Sequence, residues 1–189
     1  MDKTIVLDVG DTLVTDGMQE MFICIHNEYK IDFFRIFAAY RILKRALWSG
    51  SLSIDSFWKQ LGSKLGIELD STDCSQHLIK LSTLIIPSKT LDVINSSENV
   101  ILFTNHRSEW LYPILKNAGI KIDRDKIFCS DEKSFVKPDI SSFVDLSNSL
   151  NTKDILFVDD NYSNLVSASE FGWSIQMAYY GWWNLVWGI

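Results

Sequence analysis

The strongest constraint on the fold is a regular alternation of two kinds of segment. Five short segments are predicted strands: 4–9, which is apolar and β-branched, and then 99–104, 126–129, 154–158 and 173–177. Apolar residues recur at helical spacing in the stretches between the later ones: 89–95, 108–118, 139–150 and 163–171. Strands that alternate with amphipathic helices favour a parallel sheet covered on both faces. We therefore predict an α/β protein with a three-layer core.

The stretch between the first two strands has a different texture. Between residues 18 and 84, four segments show helical spacing, with breaks near residues 32, 49–51 and 68–72. Ser53 is placed to cap the third of these helices. An interval of roughly 70 residues is far longer than an ordinary connection. We predict a core of residues 1–14 and 88–189 that carries a helical insertion of residues 15–87.

Composition excludes several classes of protein. The net charge is −6 with both signs interspersed, which argues against a nucleic-acid partner. It does not exclude an anionic substrate, because a bound metal and a few local donors can outweigh it. Three widely spaced cysteines without a CxxC pair indicate free thiols in a reducing compartment. No signal peptide and no apolar run of about 20 residues is visible, so we expect a cytoplasmic protein without a membrane span.

Polar residues follow the predicted strands where each strand ends. They are Asp8, Thr104, Asn105, Lys137, Asp159 and Asp160. In open α/β sheets ligands bind at the carboxyl ends of the strands, so we expect these side chains to converge. Clustered carboxylates repel one another unless a cation lies among them, and hard oxygen ligands at an open site suit Mg²⁺. A lysine adds a point charge suited to a phosphate oxygen or a carboxylate.

Four ordered segments resemble the motifs of the haloacid dehalogenase superfamily. They are LDVGDTLV (7–14), LFTNHR (102–107), VKPDISSF (136–143) and FVDDNYSN (157–164). One such motif is weak, whereas four in the right order at predicted strand ends are much more specific. The resemblance implies a Rossmann-like core with a helical cap after the first motif. It also implies a hydrolase that acts on a small phosphorylated metabolite.

The resemblance further implies a role for each matching residue. Asp8 would attack phosphorus and form an aspartyl-phosphate, which splits one displacement into two steps. Thr104 and the backbone of Asn105 would bind phosphoryl oxygens. Lys137 would neutralise charge on Asp8 and on the phosphoryl group. Positioning and electrostatic stabilisation supply most of the barrier reduction in such transfers.

A magnesium ion is implied in the same way. Asp8, the backbone carbonyl of Gly10 and Asp160 would hold it, and Asp159 would contact it directly or through water. Magnesium is therefore the expected cofactor.

Position 10 departs from the superfamily pattern. The usual first motif has a second aspartate there, which acts as acid toward the leaving group and then as base toward water, whereas this chain has Gly10 followed by Asp11. General acid–base help is typically worth about 10² to 10⁴ in rate. Three interpretations remain open. In the first, the substrate has a good leaving group, or water and Asp11 take over the acid–base role, as in sugar phosphatases with a similar first motif. In the second, the reaction is metal-independent 2-haloacid dehalogenation. In the third, the chain is a catalytically weak regulatory or binding protein.

Other residues have a structural interpretation beside the functional one. Asp11, Thr12 and Arg107 are candidates for substrate binding. Asp11 could equally cap the turn after the first strand, and Thr12 could anchor that loop by hydrogen bonding near Asp8. Arg107 could reach a phosphate or carboxylate, or be an exposed arginine at a helix start. Asn164 could cap the helix after the fourth strand or support the site, and we expect the cap.

The carboxyl-terminal segment, residues 179–189, is rich in aromatic residues, with three of the seven tryptophans within six positions. We expect it to pack back across the core, since large aromatic side chains bury much area. The alternative is a docking patch for a second copy of the chain or for a protein partner.

Overall fold

The computed structural model describes residues 3–133, 135–150, 152 and 154–188, and its centre is a five-stranded sheet. The strands are β1 (Thr4–Leu7), β2 (Val100–Thr104), β3 (Ile127–Cys129), β4 (Ile155–Asp159) and β5 (Ser174–Met177). All neighbours pair in parallel, in the order β3-β2-β1-β4-β5. The predicted α/β class and the five strands are confirmed. Residues 1, 2, 134, 151, 153 and 189, some of which fall inside predicted segments, lie outside the described residues.

The central strand β1 lies between β2 and β4, and it is shorter than the sequence predicts. Leu7 pairs with Leu102 on one side and with Val158 on the other. The strand ends there because the chain turns at once: the amides of Leu13 and Val14 donate to the carbonyl of Val9, at 2.9 and 3.1 Å. The next residue, Asp8, therefore lies directly at the carboxyl edge of the sheet, between the ends of β2 and β4.

Ten α-helices surround the sheet in the described part of the chain. The four between β1 and β2 that match the predicted insertion are α1 (Gly17–Tyr29), α2 (Phe33–Trp48), α3 (Ile54–Leu65) and α4 (Ser71–Leu81). The others are α5 (Ser88–Ser96), α6 (Ser108–Ala118), α7 (Ser130–Lys133), α8 (Ile140–Ser149), α9 (Tyr162–Glu170) and α10 (Trp182–Trp187). Ser53 caps α3 as predicted, accepting from the amide of Ser56 at 3.2 Å. No helix among the described residues is long and apolar enough to cross a membrane.

Two apolar clusters cover the two faces of the sheet. Successive strand residues point to opposite faces. Leu102 accordingly packs in a cluster with α1, α2 and α3, whereas Phe103 packs in a second cluster with Phe143 of α8 and Phe157 of β4. Phe103, Phe143 and Phe157 are fully buried. The sheet is thus the middle layer of three, as the alternating segments predict.

Polar contacts made by three side chains, Arg107, Ser130 and Arg45, help to hold the insertion helices against the rest of the chain. The guanidinium of Arg107, at the start of α6, donates to the carbonyls of Leu47 and Leu52, at 3.1 and 3.0 Å. The hydroxyl of Ser130 donates to the carbonyl of Trp48 at 2.6 Å. Arg45 forms an ion pair with Asp139. Because α6, α7 and α8 all begin near the carboxyl edge of the sheet, these contacts place α2 over the end of β1.

The carboxyl-terminal aromatic segment packs into the core through α10. Trp182 and Trp183 are buried in the same cluster as the end of β1, and the indole of Trp182 donates to the carbonyl of Thr12 at 3.4 Å. Tyr180 stays almost fully exposed. The segment therefore stabilises the turn that follows Asp8.

Candidate active site

A lysine joins two carboxylates at the carboxyl edge of the sheet. The ammonium of Lys137 donates to Oδ1 of Asp8, to Oδ2 of Asp159 and to the carbonyl of Phe103, each at 2.7 Å. Lys137 is fully buried, and its charge also lies 5.1 Å from the ring centres of Phe103 and Phe157. Burial alone would lower the pKa of Lys137, but the charges of Asp159 and Asp8 outweigh it and raise the pKa above its usual value. Lys137 therefore stays charged and fixes the orientation of Asp8.

Three carboxylates meet at the same place. Asp8, Asp159 and Asp160 each offer an oxygen, and these oxygens all lie within 4.8 Å of one another. Desolvation, together with the charges of Asp8 and Asp159, raises the pKa of Asp160 to about 7. An acid in this position gains from a cation, and Asp160 is accessible to solvent. The donor set is all oxygen, which suits a hard divalent cation such as Mg²⁺.

Asp159 differs from Asp160 because its oxygens are already satisfied by protein donors. Besides Lys137, the side chain of Asn164 donates to both of its oxygens, at 3.0 and 2.9 Å, and the amide of Asn161 donates at 2.8 Å. Asp8 and Asp160 are therefore the two carboxylates of this group that could bind a cation, whereas Asp159 holds Lys137. The expected cap role of Asn164 is wrong: Asn161 caps α9 by accepting from the amide of Ser163, at 2.9 Å.

Thr104 and Asn105 lie where β2 ends, as predicted, but their side chains contact protein groups. The side-chain nitrogen of Asn105 donates to the backbone carbonyl of Lys137 at 3.0 Å, and its side-chain oxygen accepts from the backbone amide of Lys137 at 2.9 Å. This pair fixes the backbone of Lys137, whose side chain orients Asp8. Thr104 is fully buried, and its hydroxyl oxygen lies 3.0 Å from Nδ1 of His106.

A cavity of about 340 Å³ opens above these groups. On the sheet side its wall includes Asp8, Asp160, Lys137 and His106. On the side of the insertion and α6 its wall includes Met18, Tyr40, Lys44, Trp48, Leu78 and Trp110. Tyr40, Lys44 and Trp48 are spaced four residues apart along α2, so they share one helix face. The insertion thus closes a space in which one end is charged and the other is largely aromatic.

Asp11 and Thr12 occupy the turn after Asp8 and have different surroundings. Asp11 lines the cavity, and its carboxylate accepts from the amide of Asp16 at 2.8 Å and from Gln19 at 3.3 Å. Burial raises the pKa of Asp11, although the hydrogen bond from Asp16 opposes it. Thr12 is fully buried, and its hydroxyl finds no partner among the described residues. The expected hydrogen bond of Thr12 near Asp8 is therefore wrong, and Asp11 orders the start of α1.

Arg107 is buried, and the expectation of an exposed helix-start arginine is wrong. Its guanidinium donates to Glu109 at 3.2 and 2.8 Å and lies 3.4 Å from Asp131, in addition to its two bonds to carbonyls of the insertion. The same contact lowers the pKa of Glu109. Although Arg107 borders the cavity, its nitrogens are used in joining α6 to the insertion.

His106 lines the cavity, yet the motif pattern assigned it no role. The sequence signal was its position next to Asn105 and Arg107. The ring of His106 lies close to Gly10: a Cβ atom at position 10 would be 2.9 Å from Cε1 of His106. A contact between positions so far apart in the chain cannot be read from the sequence.

Comparison with known proteins gives no match to a protein-family model or to a curated sequence. Solved structures do resemble the chain. A haloacid dehalogenase (HAD) family enzyme from Bacteroides thetaiotaomicron is 20% identical, with a TM-score of 0.73 over 97% of this chain and 98% of that one. A predicted HAD-like family hydrolase from Porphyromonas gingivalis is 22% identical, with a TM-score of 0.71 over 98% and 96%.

An L-2-haloacid dehalogenase from Xanthobacter autotrophicus is 19% identical, with a TM-score of 0.66 over 94% of this chain and 77% of that one. The Bacteroides enzyme has also been solved in complex with magnesium and inorganic phosphate, at 22% identity and a TM-score of 0.69 over 96% of each chain. The similarity extends over nearly the whole chain, insertion included. The chain therefore has the fold of the haloacid dehalogenase family.

Proposed function

We propose that this protein is a magnesium-dependent hydrolase of small phosphomonoesters, with Asp8 as nucleophile. The observation that carries the proposal is the contrast between the two sides of Asp8. On one side, Lys137 donates to Oδ1 of Asp8 at 2.7 Å. On the other side, the carboxylates of Asp8 and Asp160 together offer a place for a divalent cation next to the cavity. A carboxylate held in one orientation beside a cation site is equipped to attack an electrophile with anionic oxygens.

Each residue of the site has a defined role in the proposed reaction. Asp8 attacks phosphorus and forms the aspartyl-phosphate, and water then hydrolyses it. Lys137 keeps Asp8 oriented, and it stabilises negative charge on the phosphoryl group. Asp159 and Asn164 hold Lys137 and each other in place. Asp8, Asp160 and the carbonyl of Gly10 would bind magnesium, which when bound supplies positive charge to the phosphoryl oxygens.

The cavity limits the size and chemistry of the substrate. Its volume of about 340 Å³ suits a small metabolite and is near the lower end for ligand sites. Its aromatic wall favours a leaving group with an apolar face, and Lys44 adds a cation at 4.9 Å from the Trp48 ring. We infer that selectivity depends on this face of α2.

Dehalogenation is a second candidate, because the chain lacks a carboxylate at position 10 and resembles the Xanthobacter dehalogenase in fold. Two adjacent acids beside Asp8 argue against it, since Asp160 would gain nothing from remaining near Asp8 without a cation.

A substrate screen tests the proposal. Wild-type protein, Asp8→Asn and the surface control Asp125→Asn are assayed on a panel of phosphomonoesters and 2-haloacids, with EDTA or with Mg²⁺. We expect phosphate release that needs Mg²⁺, is lost in Asp8→Asn and is kept in the control, with circular dichroism showing a folded variant. Halide release in EDTA would instead assign a dehalogenase. Absence of turnover on the whole panel would favour a regulatory or binding protein.

A further inference from the structure

His106 stands at the cavity in a fixed orientation. It lies between β2 and α6, half-buried, in the wall that also contains Asp8. Its Nδ1 is 3.0 Å from the hydroxyl of Thr104, and its backbone amide donates to that same oxygen at 3.2 Å. Among the described residues, Nε2 of His106 has no hydrogen-bond partner. One side of the ring is therefore anchored in the protein, and the other side carries a nitrogen that is free to bind a ligand.

The ring of His106 takes up the space next to Gly10. A Cβ atom at position 10 would lie 2.9 Å from Cε1, a distance that real Cβ contacts almost never show. To admit a Cβ atom, the ring of His106 would have to shift from this position. A side chain at position 10 and His106 in this orientation therefore exclude each other, so the imidazole is the functional group that the protein presents at this point.

The in-line geometry of phosphoryl transfer determines which part of the substrate faces His106. The attacking and leaving oxygens lie on opposite sides of phosphorus. With Asp8 at the floor of the cavity, the leaving oxygen must lie on the cavity side. Asp11, the neighbouring candidate, already accepts from Asp16 and Gln19. Nε2 of His106 is the uncommitted donor beside Gly10 in the described part of the wall.

We propose that His106 is a catalytic residue that binds the leaving-group oxygen through Nε2, a role that rests on the proposed phosphatase function. As the Asp8–phosphorus bond forms and the bond from phosphorus to the leaving oxygen breaks, the imidazolium form of His106 passes its Nε2 proton to that oxygen and becomes neutral, while Nδ1–H stays hydrogen-bonded to Thr104. In the second step water attacks phosphorus, the Asp8–phosphorus bond breaks, and Nε2 takes a proton from the water. The imidazole thus returns to its starting state.

A series of para-substituted phenyl phosphates tests this role, because its members share one shape and differ in how well the phenolate leaves. His106→Phe keeps a ring and removes both nitrogens, and kcat/KM reports the steps up to phosphorylation of Asp8. We expect a loss of about 10² or more for phenyl phosphate and of less than about tenfold for p-nitrophenyl phosphate, since a good leaving group needs no donor. His106→Gln, which retains a donor, should recover part of the loss on phenyl phosphate.

Gly10→Ala gives an independent check, because its methyl group must displace the ring. It should show the same increase in sensitivity to the leaving group while His106 itself is unchanged. An equal loss for all members of the series in His106→Phe would overturn the role of His106 and leave the phosphatase proposal intact. A wild-type protein that hydrolyses no member of the series or of the wider panel would overturn both.

Discussion

Replacing Lys137 by methionine tests the network at the strand ends. Methionine keeps the approximate volume and the apolar stem but removes three hydrogen bonds of 2.7 Å. Asp8 and Asp159 then remain as neighbouring carboxylates, 8% and 0% exposed, without the cation between them. Removing one partner of a buried ion pair typically costs about 3–5 kcal/mol, because it leaves an uncompensated charge. We expect a loss in that range for the metal-free protein.

The magnitude would be large compared with the stability of a typical domain, about 5–15 kcal/mol. Urea unfolding followed by tryptophan fluorescence in EDTA measures it, with seven tryptophans as probes. The exposed Lys59→Met provides the control and should change stability by no more than about 0.5 kcal/mol. A loss of less than about 1 kcal/mol in Lys137→Met would refute the assignment of the cost to unpaired charge.

Two additions to this experiment separate charge from packing. Adding Asp8→Asn to Lys137→Met removes one of the two unpaired carboxylates, whereas Asp159 keeps its donors Asn161 and Asn164. The double variant should therefore be more stable than Lys137→Met, a non-additivity expected of residues in contact. Saturating Mg²⁺ should also reduce the cost, because a cation would replace part of the lost charge. If neither change has an effect, the loss comes from packing alone.

Three further predictions follow from burial and pKa. Because the pKa of Asp160 is raised to about 7, a proton should compete with Mg²⁺ for this carboxylate. The affinity for Mg²⁺, measured by calorimetry, should therefore fall by up to about tenfold per pH unit below about 7. A constant affinity between pH 8 and about 6 would contradict this. Burial raises the pKa of Cys129 to about 12, so Ellman's reagent should label it far more slowly than the partly exposed Cys24 in the native protein. Trp182→Ala should cost about 3–5 kcal/mol in urea unfolding, since the side chain is 2% exposed, whereas Tyr180→Ala, at an exposed site, should cost less than about 0.5. Equal costs would show that α10 is not anchored through its buried tryptophan.

The strands and the convergence of the acids could be predicted because both depend on local patterns. Buried parallel strands are continuous apolar runs, and the carboxyl ends of parallel strands share one edge of a sheet. Once β1 and β4 are neighbours, Asp8, Asp159 and Asp160 must lie close together, whichever helices cover the sheet.

The roles of Arg107, Asn164 and His106 could not be predicted in the same way. Each depends on a contact formed only in the folded chain: Arg107 with the carbonyls of Leu47 and Leu52, Asn164 with the oxygens of Asp159, and His106 with the space above Gly10. The periodicity of apolar residues identifies the buried face of a helix but not the residues that this face contacts. The turn after Asp8 likewise ends β1 early because of hydrogen bonds within residues 9–14.

The distribution of charge explains why a metal ion would suit this site in addition to the lysine. Three carboxylates and one ammonium leave an excess of two negative charges at the strand ends. Lys137 reaches Asp8 and Asp159, which are buried, but Asp160 lies at the accessible side, where partial burial and the charges of Asp8 and Asp159 raise its pKa. A divalent cation at Asp8 and Asp160 would balance that excess and would face the cavity, whereas a second buried lysine would offset only one of the two charges and would offer no site to a substrate. With a cation bound there, the fixed positive charge of Lys137 would lie behind Asp8 and an exchangeable positive charge would lie in front of it, where a phosphoryl group would bind.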